Sequence, residues 1–351
     1  MRYLNAVLAA GLAFACVVAR PAFAEQAPRP VLEEMRVPSG EAGIEIYVRN
    51  KHPAGIARFA PDRTLVFVHG ATYPASTSFD LELGGTSFMD DLAARGFDVY
   101  AVDLPGYGGS SRPAQMSQDP EASPPFETTA DAVRHYGAVV DFVLKRRGLT
   151  KLDAMGWSWG TTIAAGYAAA NPDKVERLAL YAPVWLVKGE TVALGGGGKL
   201  GAYRTVTAEQ ARQRWLNSVP EDAKEALIPA GWFDAWQKAT WATDPEAGSR
   251  NPPALRAPNG VVQDLRAYWG AGKPTYDPAR ITVPALLVQG EWDHDTPPYM
   301  AQTLFPLLVN APWKRYVEIG GGTHTIMMER NRRQLFDVVE DFLLEPSPAE
   351  P

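Results

Sequence analysis

Cysteine is nearly absent: Cys16 is the only one in 351 residues, so the chain can build neither a disulfide framework nor a thiolate metal cluster of its own. Positive charge is also in deficit. With 34 Lys and Arg against 40 Asp and Glu, the formal charge of −6 leaves no basic stripe to neutralise phosphates, which argues against nucleic acid as a partner. No like-charge block, internal repeat or long low-complexity segment breaks the chain. Histidine is scarce too, with five in all, so any general base of the imidazole type must come from a short list.

Long apolar runs are limited to the first residues, "MRYLNAVLAAGLAFACVVARPAFA". Arg2 supplies a positive start, an apolar stretch follows, and Ala22-Phe23-Ala24 offers a small-x-small cleavage site. Residues 1–24 therefore read as a secretory signal cleaved after Ala24, and the protein as periplasmic or secreted. A membrane span would need about 20 apolar residues, and Arg20-Pro21 interrupts this run first. Cys16 is a poor lipidation site, because the apolar stretch continues past it. Cleavage removes Cys16 and two arginines but no acids, making the mature chain two charges more negative. Its core must hold it together without disulfides. At 46% apolar content and this length, one domain with an insertion suffices.

What is present is an alternation of β-rich and helix-like segments. "TLVFVHG" (64–70), "FDVYAVDL" (97–104), "KLDAMGWS" (151–158), "VERLALYAP" (175–183), "ALLVQG" (285–290) and "KRYVEIG" (314–320) are apolar over much of their length. Such runs suit strands covered on both faces. Between them, residues 128–147 place Val133, Tyr136, Val140 and Val143 on one helical stripe, with Thr128 as cap and Asp131 in the first turn. Near the end, Leu335, Val338, Val339 and Phe342 form another stripe. Strand, helix, strand, helix predicts an α/β fold around a mainly parallel sheet. From Trp185 to Lys273 the rhythm stops. That stretch holds six of the ten tryptophans (185, 215, 232, 236, 241 and 269) and "LGGGGKLG", and predicts a helical insertion without a core strand. The tryptophans could form the insertion's own core or an aromatic wall over a cleft. The glycine run follows no strand and has no Lys-Ser/Thr pair, so it reads as a loop rather than a phosphate cradle.

The segment "GWSWG" sets Gly156 and Gly160 two positions either side of Ser158, between an apolar strand and an alanine-rich helix. A strand turning directly into a helix at Ser158 strains that residue and presses its neighbours at ±2 together, which glycine permits. The hydroxyl is then held at the carboxyl end of the sheet, where open α/β folds bind ligands. A serine hydroxyl needs a base to become a nucleophile. His52 reads as a surface-turn residue, His135 as an ordinary helix residue, and His69 as a brace for the loop after its strand. His294 lies within "GEWDHDTPP", where adjacent spacing does not converge side chains on a metal ion. His324, in "IGGGTHT" just past the last strand, has three glycines before it and the reach to serve Ser158 as base. The acid that orients it comes from "GEWDHD", with Asp293, Glu291 and Asp295 as candidates. For the oxyanion, the backbone N–H of Trp159 and that of Ala71, or of Thr72, are the expected donors, each worth about 3 kcal/mol of barrier.

Five motifs, "HGATYP", "DLPGYGGSSRP", "GWSWG", "GEWDHDTP" and "GGTHT", stand in an order that resembles the α/β-hydrolase superfamily over residues 64–345. The resemblance implies Ser158 as nucleophile, His324 as base and Asp293, the acid of a G-E-x-D pattern, as third member. It implies no cofactor and no metal. It also implies a domain plan: a core of residues 25–184 and 276–351, with a cap at 185–275 inserted after the sixth strand. Serine at the elbow, where dehalogenases and epoxide hydrolases of the superfamily carry aspartate, points away from those chemistries. The chain is similar to capped C–C bond hydrolases and proline iminopeptidases, although "HGATYP" departs from the H-G-G-P-G of the latter. The leading expectation is a serine hydrolase acting on a small-molecule carboxylic ester. A peptidase or amidase would need a cap carboxylate for the substrate amine, with Glu190, Glu209, Glu221, Asp222, Glu225 and Asp234 available. A C–C bond hydrolase is a further alternative, as is a non-catalytic ligand-binding protein on the same fold, which usually lacks a member of the triad.

Overall fold

The computed structural model describes residues 29–188 and 198–346. The predicted leader with Cys16, the start of the glycine-rich stretch and Glu190 lie outside these residues. Among the described residues ten strands occur, in the order β1 (Val31–Pro38), β2 (Glu45–His52), β3 (Thr64–Val68), β4 (Asp98–Asp103) and β5 (Leu152–Trp157). There follow β6 (Val175–Tyr181), β7 (Tyr203–Thr207), β8 (Ala254–Pro258), β9 (Ala285–Gly290) and β10 (Lys314–Ile319).

Eight of them form one sheet in the order β1-β2-β4-β3-β5-β6-β9-β10. From β4 to β10 all neighbours are parallel, while β1 and β2 add an antiparallel edge. The six strands read from the sequence make up this parallel part. The edge pair was not anticipated, because "VLEEMRVP" and "EIYVRNKH" intersperse charges at partly exposed positions and so lack a continuous apolar run.

Side-chain alternation along the strands divides the core in two. Val66 and Val68 of β3 pack in one apolar cluster with Tyr136, Val140 and Ile163 of the helices Thr129–Arg147 and Trp159–Ala170. Leu65 and Phe67 pack in a second with Phe88, Leu335 and Phe342 of the helices Phe88–Ala94 and Arg332–Leu344. A period of two in a strand sends successive residues to opposite faces, so a sheet covered on both sides needs apolar residues at every position. Thr128 caps the 129–147 helix, accepting from the Asp131 N–H while the Asp131 carboxylate accepts from Thr128 N. Among the described residues no helix is long and apolar enough to cross a membrane.

Between β6 and β9 the expected purely helical segment instead contains β7 and β8, an antiparallel pair separate from the main sheet. The helices Ala208–Leu216, Trp232–Trp241 and Gly260–Ala267 accompany it. The pair escaped the sequence reading because each strand has five residues and polar side chains such as Arg204 and Arg256. Trp236 packs edge-on against Tyr73, Trp215 and Trp241, so much of the tryptophan is indeed interior to this segment and its seam with the core.

Strand order also locates a crevice. The chain leaves β3 for β4 on one side, then returns to place β5 on the other, so the loops after β3 and β5 diverge at a switch point. Open α/β sheets bind ligands at such points.

Candidate active site

Ser158 stands at the end of β5 with φ 57° and ψ −123°, a left-handed setting unusual for a residue with a side chain. Its neighbours explain how the turn closes. A Cβ on Gly156 would lie 2.1 Å from the Gly160 carbonyl oxygen, and one on Gly160 would lie 2.4 Å from that of Val68. The turn is pinned from both sides: Ser158 N donates to Tyr181 O at 2.9 Å, and Thr161 N donates to Ser158 O at 2.9 Å.

His324 lies in the loop after β10. Its Nδ1–H donates to Asp293 Oδ2 at 2.9 Å, which leaves Nε2 with a free lone pair. Its backbone carbonyl accepts from Trp157 Nε1 at 2.9 Å and from Tyr181 Oη at 2.8 Å. The loop is held further by buried Glu329, which accepts from Thr323 N at 3.1 Å and from the Thr323 hydroxyl. Glu329 also accepts from Trp215 Nε1 at 2.8 Å, joining the loop to the segment between β6 and β9.

Asp293 is buried and saturated with donors. Besides His324, Oδ2 accepts from Gln289 Nε2 at 3.0 Å and Thr296 Oγ1 at 2.9 Å. Oδ1 accepts from the amides of Asp295 and Thr296, each at 2.9 Å. The other two candidate acids are placed differently. Glu291 is exposed and accepts from Gly321 N. Asp295 takes both oxygens to Arg214 Nε, at 2.9 and 2.8 Å, and lies 4.0 Å from His324 Nε2.

These charges act on the imidazole. Burial pulls its protonated form down, but the Asp293 charge and hydrogen bond, then the Asp295 charge, overcome this and hold His324 above the ordinary 6.5. For Asp295, burial pushes the carboxyl up, yet Arg214 and then His324 hold it below the usual carboxylate range.

Two cavities meet at Ser158. One is lined by Ala71, Ser158, Arg214, Trp215, Asp295 and His324 among others. The second is lined by Ala71, Ser158, Trp159, Trp269, Arg214 and Met300 among others. Ser158, His324 and Ala71 therefore share one cavity, and Ser158, Ala71 and Trp159 share the other. Trp159 opens the helix Trp159–Ala170, where backbone N–H groups of the first turn have no intrahelical acceptor.

The remaining histidines sit elsewhere. His69 is buried; its Nδ1–H donates to Gly70 O at 2.7 Å and Nε2 accepts from Leu104 N at 3.1 Å, tying the loop after β3 to the end of β4. His135 bonds Glu127 at 2.9 Å, His294 is exposed, and His52 ends β2 rather than lying in a turn.

Residues 65–338 match the family model described as the alpha/beta hydrolase family. The chain belongs to that family. Relatives of this alpha/beta hydrolase include the pimeloyl-[acyl-carrier protein] methyl ester esterase of Neisseria meningitidis, 36% identical over 74% of each chain. Human protein ABHD8 is 26% identical over 82% of this chain and 57% of its own length. A probable 1-acylglycerol-3-phosphate O-acyltransferase of rice is 36% identical over 34% of this chain, which spans only 25% of that protein. Among solved structures, a serine hydrolase involved in carbazole degradation superposes with a TM-score of 0.59 at 18% identity, covering 89% and 99% of the two chains. The 2-hydroxy-6-oxo-6-phenylhexa-2,4-dienoate hydrolase of a Rhodococcus strain gives 0.58 at 17% identity, covering 89% and 99%. At these identities the structures share the fold.

Around this alpha/beta hydrolase site stand residues that the sequence did not single out: Trp157, Tyr181, Gln289, Thr296, Glu329, Arg204 and Arg214. Tyr181, Arg204 and Arg214 lie far from the motifs, and no local spacing marks them.

Proposed function

We propose that the protein is a serine hydrolase that cleaves a small-molecule carboxylic ester through an acyl-enzyme. One observation carries the reading: Ser158, on a strained elbow, shares a cavity with His324, whose Nδ1 is bonded to a buried, donor-saturated carboxylate. His324 Nε2 takes the Ser158 proton as the hydroxyl oxygen attacks the ester carbonyl. The amides of Ala71 and Trp159 stabilise the oxyanion. Collapse expels the alcohol, which takes the proton from His324. Water then attacks the acyl-enzyme by the same route and releases the acid.

The two cavities flanking Ser158 provide separate places for acyl and alcohol portions, with Trp215 in one and Trp269 in the other. The segment 185–275 acts as the cap over them. The methyl ester substrate in the name of the Neisseria relative is in keeping with an ester. Against an aminopeptidase stands the placement of the cap acids: Glu209, Glu221, Asp222, Glu225 and Asp234 are exposed and line neither cavity. We further propose that residues 1–24 serve as an export signal, so that the mature protein starts at Glu25. Purified residues 25–351 assayed on p-nitrophenyl esters, lactones, amides and aminoacyl-naphthylamides test the class. Faster turnover of the aminoacyl amides than of every ester would overturn it.

A further inference from the structure

Arg204, on β7, reaches across to the loop after β3. Nη2 donates to the Ala71 carbonyl at 2.6 Å and to Thr72 Oγ1 at 3.0 Å. Nη1 donates to the Pro258 carbonyl at 2.6 Å and to Asn259 Oδ1 at 3.4 Å. Every acceptor is neutral, and Nε is sealed from solvent without a partner among the described residues. Its neighbours differ. Arg256 is paired with Asp244 and Arg214 with Asp295. The guanidinium is partly buried and has no carboxylate partner among the described residues, so its charge is left to act on a negative charge that develops nearby. Burial pulls the Arg204 guanidinium pKa down, and the Arg214 charge adds to this.

The residue it grips is the one expected to stabilise the oxyanion. The Ala71 carbonyl also accepts from Tyr107 Oη at 2.9 Å, so two donors from different elements fix the Ala71–Thr72 peptide, while His69 on the Gly70 carbonyl holds the preceding peptide that carries the Ala71 N–H. Tyr107 in turn packs on His69 and Trp159. Arg204 lines neither cavity.

We infer that Arg204 is a positioning residue for the oxyanion site, clamping Ala71 by its carbonyl and setting an uncompensated positive charge behind it. The inference rests on the serine-hydrolase reading above. The negative charge appears only when the ester carbonyl becomes tetrahedral, so Arg204 favours the transition state over bound substrate. It also makes the site incomplete without β7, because the core strands alone do not supply this donor.

The test compares wild type, Arg204→Met, Arg204→Lys and Ser158→Ala on a p-nitrophenyl ester, together with inhibition by a trifluoromethyl ketone and its non-reactive methyl ketone counterpart. Arg204→Met is expected to lower kcat by about 30-fold while KM moves less than about threefold. Trifluoromethyl ketone affinity, which depends on the tetrahedral adduct, should fall in the same proportion, and methyl ketone affinity should hold. Arg204→Lys, which keeps the charge, should recover at least about fivefold in kcat. A purely structural link would lower the melting temperature or raise KM and leave kcat and the affinity ratio intact; that result overturns the inference. If Arg204→Met does not fold, Arg204→Lys decides alone: a several-fold loss in kcat at constant KM supports the inference, and wild-type kcat overturns it. Full turnover by Ser158→Ala would bring down the serine-hydrolase reading and this inference with it. An inactive Ser158→Ala beside a normal Arg204→Met would remove this inference only.

Discussion

Trp157, the residue before the candidate nucleophile, donates from Nε1 to the backbone carbonyl of His324 at 2.9 Å. The end of β5 thus carries both the hydroxyl and a strut for the loop that bears its candidate base. The indole also packs on the imidazole, with ring centroids 5.4 Å apart.

Trp157→Phe removes that donor while retaining most of the apolar volume. A buried hydrogen bond of this kind contributes about 1 kcal/mol, and the lost ring volume adds roughly 1–2 more. Thermal unfolding should show a lower melting temperature. Steady-state kinetics should show kcat reduced by about tenfold with little change in KM, since a loosened His324 costs orientation rather than binding.

The charges around His324 set its pH response. Only the neutral ring accepts the Ser158 proton, so kcat/KM should rise with pH along an acid limb lying above 6.5, the direction in which Asp293 and Asp295 push this imidazole against burial. Asp295→Asn deletes a negative charge 4.0 Å from Nε2 and should move the limb to lower pH. Arg214→Met deletes a positive charge that disfavours the imidazolium and should move it to higher pH. Opposite displacements in the two pH–rate profiles check the electrostatic account; displacements in the same direction contradict it.

The elbow predicts a sharp contrast between two glycines of one short region. Gly156→Ala would set a Cβ 2.1 Å from the Gly160 carbonyl oxygen, which only a backbone shift can relieve. The expected cost is at least about 3 kcal/mol, read as lost soluble protein or a strongly lowered melting temperature. Gly166→Ala, on the following helix, meets only Val133 Cγ2 at 3.4 Å. Helix propensity favours alanine there by about 1 kcal/mol, so its melting temperature should equal or exceed wild type.

Where local chain geometry dictates a residue, the sequence was readable. The glycines flanking Ser158 follow from a strand that must turn at once into a helix, and both-face burial explains why β3 to β6 read as segments apolar over much of their length. Asp293 stood beside two other carboxylates in sequence, and its resemblance to the acid of the G-E-x-D pattern selected it there. In the structure it is the one whose Oδ2 accepts from His324 Nδ1, while Glu291 turns to Gly321 and Asp295 to Arg214. Residues that act across the fold were not readable. Arg204 meets Ala71 over a sequence separation of 133, and Trp215 meets Glu329 over 114. Such contacts are written in tertiary packing, without any periodicity or spacing for a reader to detect. The antiparallel edge and the β7–β8 pair escaped for a related reason: partly exposed or short strands carry polar side chains, which dilute the apolar signal.

The most direct test treats the mature protein with a fluorophosphonate, maps the adduct by peptide mass spectrometry, and assays Ser158→Ala beside it. One adduct on the oxygen of residue 158, no labelling of the variant, and ester turnover lowered by at least about 10⁴-fold is the predicted result. An adduct on another residue, or a variant that hydrolyses esters at the wild-type rate, would contradict the account.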